Sequence, residues 1–375
     1  MEQSIHSWDD LPIGEHLLKG IYGYGFENPS AVQKTAIPVL LTGKDVVVQA
    51  QSGTGKTATF AIAALAKIEV AAATTQVLVL SPTKELCNQT AAVFQQLGKG
   101  MEGLSVAAMY GGCEYTRSSP HVICGCGGRV LDMLIRRKIN ASTIRTVILD
   151  EADEMLSRGF RDQIYDIFTF LTHPNLQVVM VSATLPENIH SLLDNIMKDP
   201  HKIHVKPEML TLEGIKQFYV AVENDRQKYA VLKDLFSSLE VSQCIIYCNR
   251  IQQVHELYEA MCEDQFPVCC IHGNMDKGER NTSFHEFASG KYRVLISSDI
   301  TARGIDIQQV SIVINFDIPR DVHTYLHRIG RSGRWGRKGV GINFVTRYDV
   351  RNMKEIEHYY NTQIMELPEN FTHLL

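Results

Sequence analysis

Short, almost unbroken apolar runs recur along the chain, each closing in a small, polar or charged residue. In the first half they are DVVVQA (Asp45–Ala50), VLVLSP (Val77–Pro82), HVICG (His121–Gly125), TVILD (Thr146–Asp150) and VVMVSA (Val178–Ala183). In the second half they are CIIYCN (Cys244–Asn249), VCCIHG (Val268–Gly273), VLISSD (Val294–Asp299) and SIVINFD (Ser311–Asp317). Continuous rather than alternating apolarity predicts strands covered on both faces, as in parallel sheets. Helix-length segments separate them, so the pattern predicts repeated βαβ units. In open α/β sheets ligands bind beyond the carboxyl ends of strands, which is where the polar closing residues fall. The pattern breaks at KPEMLTLEG (Lys206–Gly214) and resumes. The expected fold is therefore α/β, with one domain over 1–206, a linker over 207–215 and a second domain over 216–375. The doubling of the α/β pattern is the one internal repetition.

A length of 375 residues suits two such domains, each long enough for its own core. The net charge of −5 removes any global electrostatic sign of nucleic-acid binding, so a basic surface would have to be local. The most apolar stretch, Ala58–Ala73, carries Lys67 and Glu69 and is not a membrane span. The polar, acidic start MEQSIHSWDD is not a signal peptide. Nine cysteines include no C-x-x-C pair, which predicts reduced, mostly buried thiols in a cytoplasmic or nuclear protein rather than a disulfide framework or zinc site.

The chemistry-bearing motif is AQSGTGKT (Ala50–Thr57), directly after a predicted strand. Such a loop, here Ser52, Gly53, Thr54 and Gly55, turns backbone N–H groups toward phosphate oxygens, and the following helix adds its positive end. Lys56 is expected to neutralise the β- and γ-phosphates of ATP and Thr57 to help hold Mg²⁺. A second strand ends in Asp150-Glu151-Ala152-Asp153. Asp150 is the expected Mg²⁺ carboxylate, largely through water, and Glu151 the group that orients or deprotonates the attacking water.

These four residues spell DEAD, and the whole chain resembles the DEAD-box RNA helicases. The resemblance implies two RecA-like domains with ATP and RNA sites across a cleft. GFENPSAVQ (Gly25–Gln33) resembles the adenine-reading motif, which implies base stacking by Phe26 and base reading by Gln33; Trp8 stands where the family has an isolated aromatic. Ser182-Ala183-Thr184, with Asp153 and His327, resembles the apparatus coupling hydrolysis to RNA. ARGID (Ala302–Asp306) implies a ribose contact by Asp306, and HRIGRSGR (His327–Arg334) implies arginine fingers at Arg331 and Arg334. The implied catalytic set is Glu151, Lys56, Arg331, Arg334 and Asp150. GIYGYGF (Gly20–Phe26), Leu149–Phe168, LTLEGIKQFYV (Leu210–Val220) and GRKGVGINFV (Gly336–Val345) resemble the subgroup of translation initiation factor 4A and its exon-junction paralogue.

On the RNA side the resemblance implies sequence-independent contacts to single-stranded or short duplex RNA by Pro82, Thr83, Lys84, Gly111, Gly112, Gly128, Arg129, Asn249, Arg280, Ser298 and Asp299. Here the chain departs from the family pattern. PTREL reads PTKEL, losing the planar fork of arginine at Lys84. TPGR reads CGGR (Cys126–Arg129), exchanging a helix-capping threonine for a weak donor. Q-x-x-R reads Lys277-Gly278-Glu279-Arg280, and Gly112–Ile123 is short for the family. The expectation is an RNA-dependent ATPase that binds and locally unwinds RNA in translation initiation, with weakened RNA stimulation. The competing expectations are an ATP-gated RNA clamp and an ATPase that no longer responds to RNA. The resemblance further implies a monomer targeted by a scaffold of the initiation-factor-4G type, with no membrane partner.

Overall fold

A computed structural model of the protein describes residues 5–50, 54–113, 119–157, 159–184, 196–204, 215–238, 243–299, 310–332 and 339–368. The chain divides into two compact units, Met1–Lys206 and Pro207–Leu375.

The first unit carries a parallel sheet of β1 (Val46–Gln49), β2 (Val77–Leu80), β3 (Val106–Met109), β4 (Val122–Gly125), β5 (Thr146–Asp150), β6 (Gln177–Ser182) and β7 (His201–His204), in the order β3-β4-β2-β5-β6-β1-β7. Its helices are α1 (Glu15–Gly23), α2 (Ala31–Leu41), α3 (Lys56–Leu65), α4 (Lys84–Leu97), α5 (Gly127–Ile135), α6 (Ala152–Met155) and α7 (Arg161–Phe170). They cover both sheet faces. One core packs Ile37, Phe60, Phe94 and Val48 together; the other packs Val47, Leu149, Ile164 and Met180. Successive β1 residues fall in different cores because strand side chains alternate between faces, and this explains the unbroken apolar runs.

The second unit repeats the plan. Strands β8 (Ile215–Ala221), β9 (Cys244–Tyr247), β10 (Val268–Ile271), β11 (Val294–Ser297), β12 (Ile312–Asn315), β13 (Gly339–Val345) and β14 (Met365–Glu366) run parallel in the order β10-β11-β9-β12-β13-β8-β14. Counted from its own first strand, this is the same order as in the first unit, so the duplication seen in the sequence extends to topology. Its helices are α8 (Lys228–Ser238), α9 (Ile251–Glu263), α10 (Lys277–Ala288), α11 (Val322–Ile329) and α12 (Val350–Tyr360).

The expected strands all form, and five more join them: β3, β7, β8, β13 and β14. The expected linker, 207–215, lies outside the described residues except for Ile215. That residue already pairs with Gly339 in β8, so the second sheet begins one residue before the expected boundary. Among the described residues no helix is long and apolar enough to cross a membrane.

Candidate nucleotide and RNA sites

Of the residues expected to bind nucleotide, Lys56, Thr57, Asp150 and Glu151 follow the carboxyl ends of β1 and β5, next to that of β6. Register places Val181 of β6 beside both Val48 and Asp150, so the three strands end at a common level. The Ala50 N–H continues the β1–β6 pairing, donating to the Ser182 carbonyl at 3.1 Å. Beyond it the chain turns into α3 through Gly55, whose φ of +91° is left-handed and strained for any residue with a side chain. Ser52 and Gly53 lie outside the described residues. Lys56 opens α3, is buried, and donates from its ammonium to the Ala50 carbonyl at 2.9 Å. Thr57 is half-buried beside it.

Asp150 ends β5 as one of the most deeply buried acids described. Burial, then the adjacent Glu151 carboxylate, push its carboxyl up to about 7, against an opposing pull from Lys56. Glu151 takes up a left-handed conformation (φ +52°), unusual for a side-chain-bearing residue and of the kind that clusters at functional sites. Its N–H donates to Asp150 Oδ1 at 3.1 Å. Asp150 Oδ2 and Glu151 Oε2 are buried and have no hydrogen-bond partner among the described residues. Two such oxygens beside a phosphate-type loop fit a hard divalent cation and the water around it, since Mg²⁺ is held by few carboxylates and keeps several waters.

Three expected coupling residues also meet. Asp153 accepts hydrogen bonds from the hydroxyls of Ser182 at 2.8 Å and Thr184 at 2.6 Å, and the Thr184 N–H donates to Ser182 Oγ at 3.2 Å. All three side chains are buried, and only Ala152 separates Asp153 from Glu151 along the DEAD turn.

The adenine motif has a structural job that its sequence also encodes. Ser30-Ala31-Val32-Gln33 is a capping box: the Gln33 N–H donates to Ser30 Oγ at 3.4 Å, and Gln33 Oε1 accepts from the Ser30 N–H at 2.7 Å. Ser30 Oγ donates in turn to the Thr54 carbonyl at 2.9 Å. A Cβ at Gly55 would lie 2.8 Å from Gln33 Nε2, so the loop glycine is also where the amide arrives. Ser30 was not among the expected site residues, although the S-x-x-Q spacing announces it. Trp8 is fully buried, 6.3 Å from the Phe26 ring, and Tyr24 lies 4.7 Å from Phe26 on centroids. It supports Phe26 from within the core.

On the expected RNA face of the first unit, Thr83 caps α4, its hydroxyl accepting from the Leu86 N–H, with Pro82 preceding it. Lys84 is buried and faces Glu85 at 3.6 Å, so its charge meets a protein carboxylate. Gly111, Gly112 and Gly128 are exposed. Arg129 pairs with Asp132 at 3.0 Å and donates to the Cys113 carbonyl. Cys126 caps α5 without a side-chain hydrogen bond to the helix, as the exchange of threonine for cysteine predicts.

In the second unit the sequence reading missed an organising residue, Arg328. It is fully buried and donates to Asp299 Oδ1 at 2.6 Å, Asn249 Oδ1 at 2.7 Å, the Asp317 carbonyl at 2.8 Å and Asn315 Oδ1 at 3.3 Å, with Tyr247 beneath its guanidinium. Two expected RNA contacts, Asn249 and Asp299, are thus held at the ends of β9 and β11 by one side chain. Ser298 follows β11, and Arg280 is half-buried on α10; the Lys277 side chain lies outside the described residues. His327 and Arg331 are buried, and Arg331 Nε donates to the His327 carbonyl at 3.1 Å. Asp306 and Arg334 lie outside the described residues.

Residues 30–192 match the DEAD/DEAH box helicase family, and 227–336 match the helicase conserved C-terminal domain. The chain belongs to the DEAD/DEAH box helicases. It is 49% identical over 380 residues to eukaryotic initiation factor 4A of Caenorhabditis elegans, covering 100% of this chain and 94% of the relative. The ATP-dependent RNA helicase eIF4A of Schizosaccharomyces pombe is likewise 49% identical, covering 100% of this chain and 96% of that protein. Among solved structures, Saccharomyces cerevisiae Dbp5 bound to RNA and ADP BeF3 superposes with a TM-score of 0.91 at 33% identity, covering 96% of this chain and 95% of that one.

Proposed function

We propose that this helicase-family chain hydrolyses ATP in response to RNA and uses the cycle to bind and locally unwind RNA in translation initiation. The observation that carries this reading is the pair of buried carboxylate oxygens of Asp150 and Glu151 that have no hydrogen-bond partner among the described residues, beside the Asp153–Ser182–Thr184 cluster. A group that acts on a γ-phosphate and a group that changes with RNA are thereby one rigid turn. Full-length similarity to proteins named initiation factor 4A, and a related fold carrying RNA with a nucleotide analogue, support the same reading.

In this reading Gln33 and Phe26 hold adenine, the loop over Ser52–Gly55 wraps the phosphates, and Lys56 leaves the Ala50 carbonyl for the β- and γ-phosphates. Thr57 and Asp150 would hold Mg²⁺, which supplies charge neutralisation to the phosphates when bound. Glu151, fixed by its left-handed backbone, orients the water for in-line attack and accepts its proton. Arg331 and Arg334 stabilise charge on the transferring phosphoryl group, and Asp306 binds the ribose. Backbone groups near Pro82, Thr83, Gly111, Gly112 and Gly128, with Arg129, Asn249, Arg280, Ser298 and Asp299, take RNA phosphates and 2′-hydroxyls. The buried Lys84 and the uncapped Cys126 favour a second reading, an ATPase with a weakened RNA response. We assign the protein to the cytoplasm, as a monomer working with an initiation-factor-4G-like scaffold.

The test is reciprocity. Affinity for a labelled ATP analogue is measured with and without single-stranded RNA, and RNA affinity with and without the analogue. The two ratios must exceed one and agree, because coupling between binding sites is symmetric. Two ratios of one would sink the proposal.

A further inference from the structure

Two thiols meet where the chain departs from its family on the RNA face. Cys126 Sγ lies 3.5 Å from Cys87 Sγ, which is van der Waals contact between sulfurs. Cys87 is on the first turn of α4, four residues beyond its cap, Thr83, and is fully buried. Cys126 is the N-cap of α5 and is partly exposed. The two helix starts that carry Thr83 on one side and Gly128–Arg129 on the other are therefore joined through this pair of sulfurs.

We propose that Cys87 and Cys126 are a redox modification site, forming a reversible disulfide that lowers RNA affinity. The site rests on the contact itself and on the accessibility of one partner. A peroxide reaches Cys126 first, where the N-terminal end of α5 favours negative charge. The Cys126 sulfur displaces hydroxide from the peroxide, giving a sulfenic acid, and the proton released from the thiol makes water of the hydroxide. The Cys87 sulfur then attacks the sulfenic sulfur; the S–O bond breaks, and the Cys87 proton leaves with the hydroxyl as a second water. One peroxide is reduced to two waters while two thiols become one disulfide. The hydrogen bond shared with Cys126, then burial, push the Cys87 thiol well above its ordinary range, which suits a resolving thiol that is inert until a sulfenic acid forms beside it.

A disulfide needs the sulfurs at about 2.05 Å, so closure shortens the contact by roughly 1.5 Å, taken up by side-chain rotation and by movement of the α5 start. Cys126 is the N-cap of α5, so moving its sulfur turns the first backbone groups of that helix. The N–H group of Gly128, in the first turn of α5, then leaves the direction in which it meets a phosphate. Loss of one such charge-assisted hydrogen bond weakens binding about tenfold or more. The nucleotide loop, on a different strand end, is left in place.

The RNA consequence rests on the function proposed above; the disulfide does not, so two readouts separate them. The full chain is treated with stoichiometric hydrogen peroxide and digested without reductant, and cross-linked peptides are identified by mass. RNA affinity and ATP-analogue affinity are measured on reduced, oxidised and re-reduced protein, beside Cys87→Ala and Cys126→Ser. The expected result is a Cys87–Cys126 cross-linked peptide, about tenfold weaker RNA binding restored by dithiothreitol, unchanged analogue affinity, and no oxidative loss in either variant. Cross-links confined to Cys113 or Cys124, or oxidation of Cys126 without a cross-link, would overturn the site. A cross-link that leaves RNA affinity unchanged in protein that binds RNA when reduced would overturn its effect. Reduced protein that binds no RNA would instead count against the proposed function, with the cross-link still deciding the site.

Discussion

Asp150→Asn should change the stability of the nucleotide-free protein by an amount that depends on pH, in the variant's favour above neutral pH. Burial raises the carboxyl of Asp150 from 3.8 to about 7. The sign follows from proton binding. Between these values the folded chain holds a proton that the unfolded chain has released, so stability falls as pH rises through the window and the penalty is complete above about 7. At ~1.4 kcal/mol per pH unit, the penalty is about 1.5 kcal/mol at pH 5 and about 4 kcal/mol at pH 8, as orders of magnitude. Asparagine never ionises and escapes it. Its buried amide has its own cost of about 1–3 kcal/mol, but that cost is the same at both pH values. The gain of the variant over the parent should therefore grow by about 2.5 kcal/mol from pH 5 to pH 8. For a unit of this size, that is about 5–10 °C in the melting midpoint of the first unit. Thermal melts of both proteins at the two pH values, without nucleotide, are the assay. A gain that is equal at pH 5 and pH 8, or that shrinks as pH rises, would refute the account of Asp150 as an acid held against its solvation.

Three further substitutions test other parts of the site. Gln33→Ala removes one half of the capping box and the amide beside Gly55; it should cost about 1 kcal/mol in stability and raise KM for ATP about tenfold or more, measured by steady-state hydrolysis. Arg328→Lys cannot reproduce the fork that serves Asp299, Asn249, Asn315 and the Asp317 carbonyl, and should destabilise the second unit by about 3–5 kcal/mol in a urea titration. Cys126→Thr with Gly127→Pro supplies the missing α5 cap and a first-turn proline; RNA affinity by fluorescence anisotropy should rise roughly threefold to tenfold, the value of one recovered hydrogen bond of about 0.5–1.5 kcal/mol. No rise would show that the α5 start does not limit RNA binding.

The strands and both units were legible because parallel strands covered on two faces leave unbroken apolar runs. β3 (VAAM) and β7 (HKIH) were not, because edge strands are covered less completely and their runs are broken by small or polar residues. At the site, Lys56 and Asp150 could be placed from the loop motif and the strand end, since local chain geometry fixes them, whereas Asp153, Ser182 and Thr184 were named through the resemblance to the helicases. Arg328 could not: its partners lie at positions 249, 299, 315 and 317, and only the assembled sheet brings them to one guanidinium. Cys87 and Cys126 were hidden for the same reason, their contact crossing two strands and two helix starts. Gln33 shows the converse. Its S-x-x-Q spacing was on the page, but reading it only as a base contact passed over the cap that ties α2 to the phosphate loop.

The central claim is that Glu151 hydrolyses ATP under the control of RNA. Steady-state ATP hydrolysis, with and without single-stranded RNA at two salt concentrations and with Glu151→Gln as the control, tests it most directly. The account predicts hydrolysis that RNA stimulates, stimulation that falls as salt rises because phosphate contacts release counterions, and loss of both in the variant. Glu151-dependent hydrolysis at the same rate with and without RNA, at both salt concentrations, would contradict it.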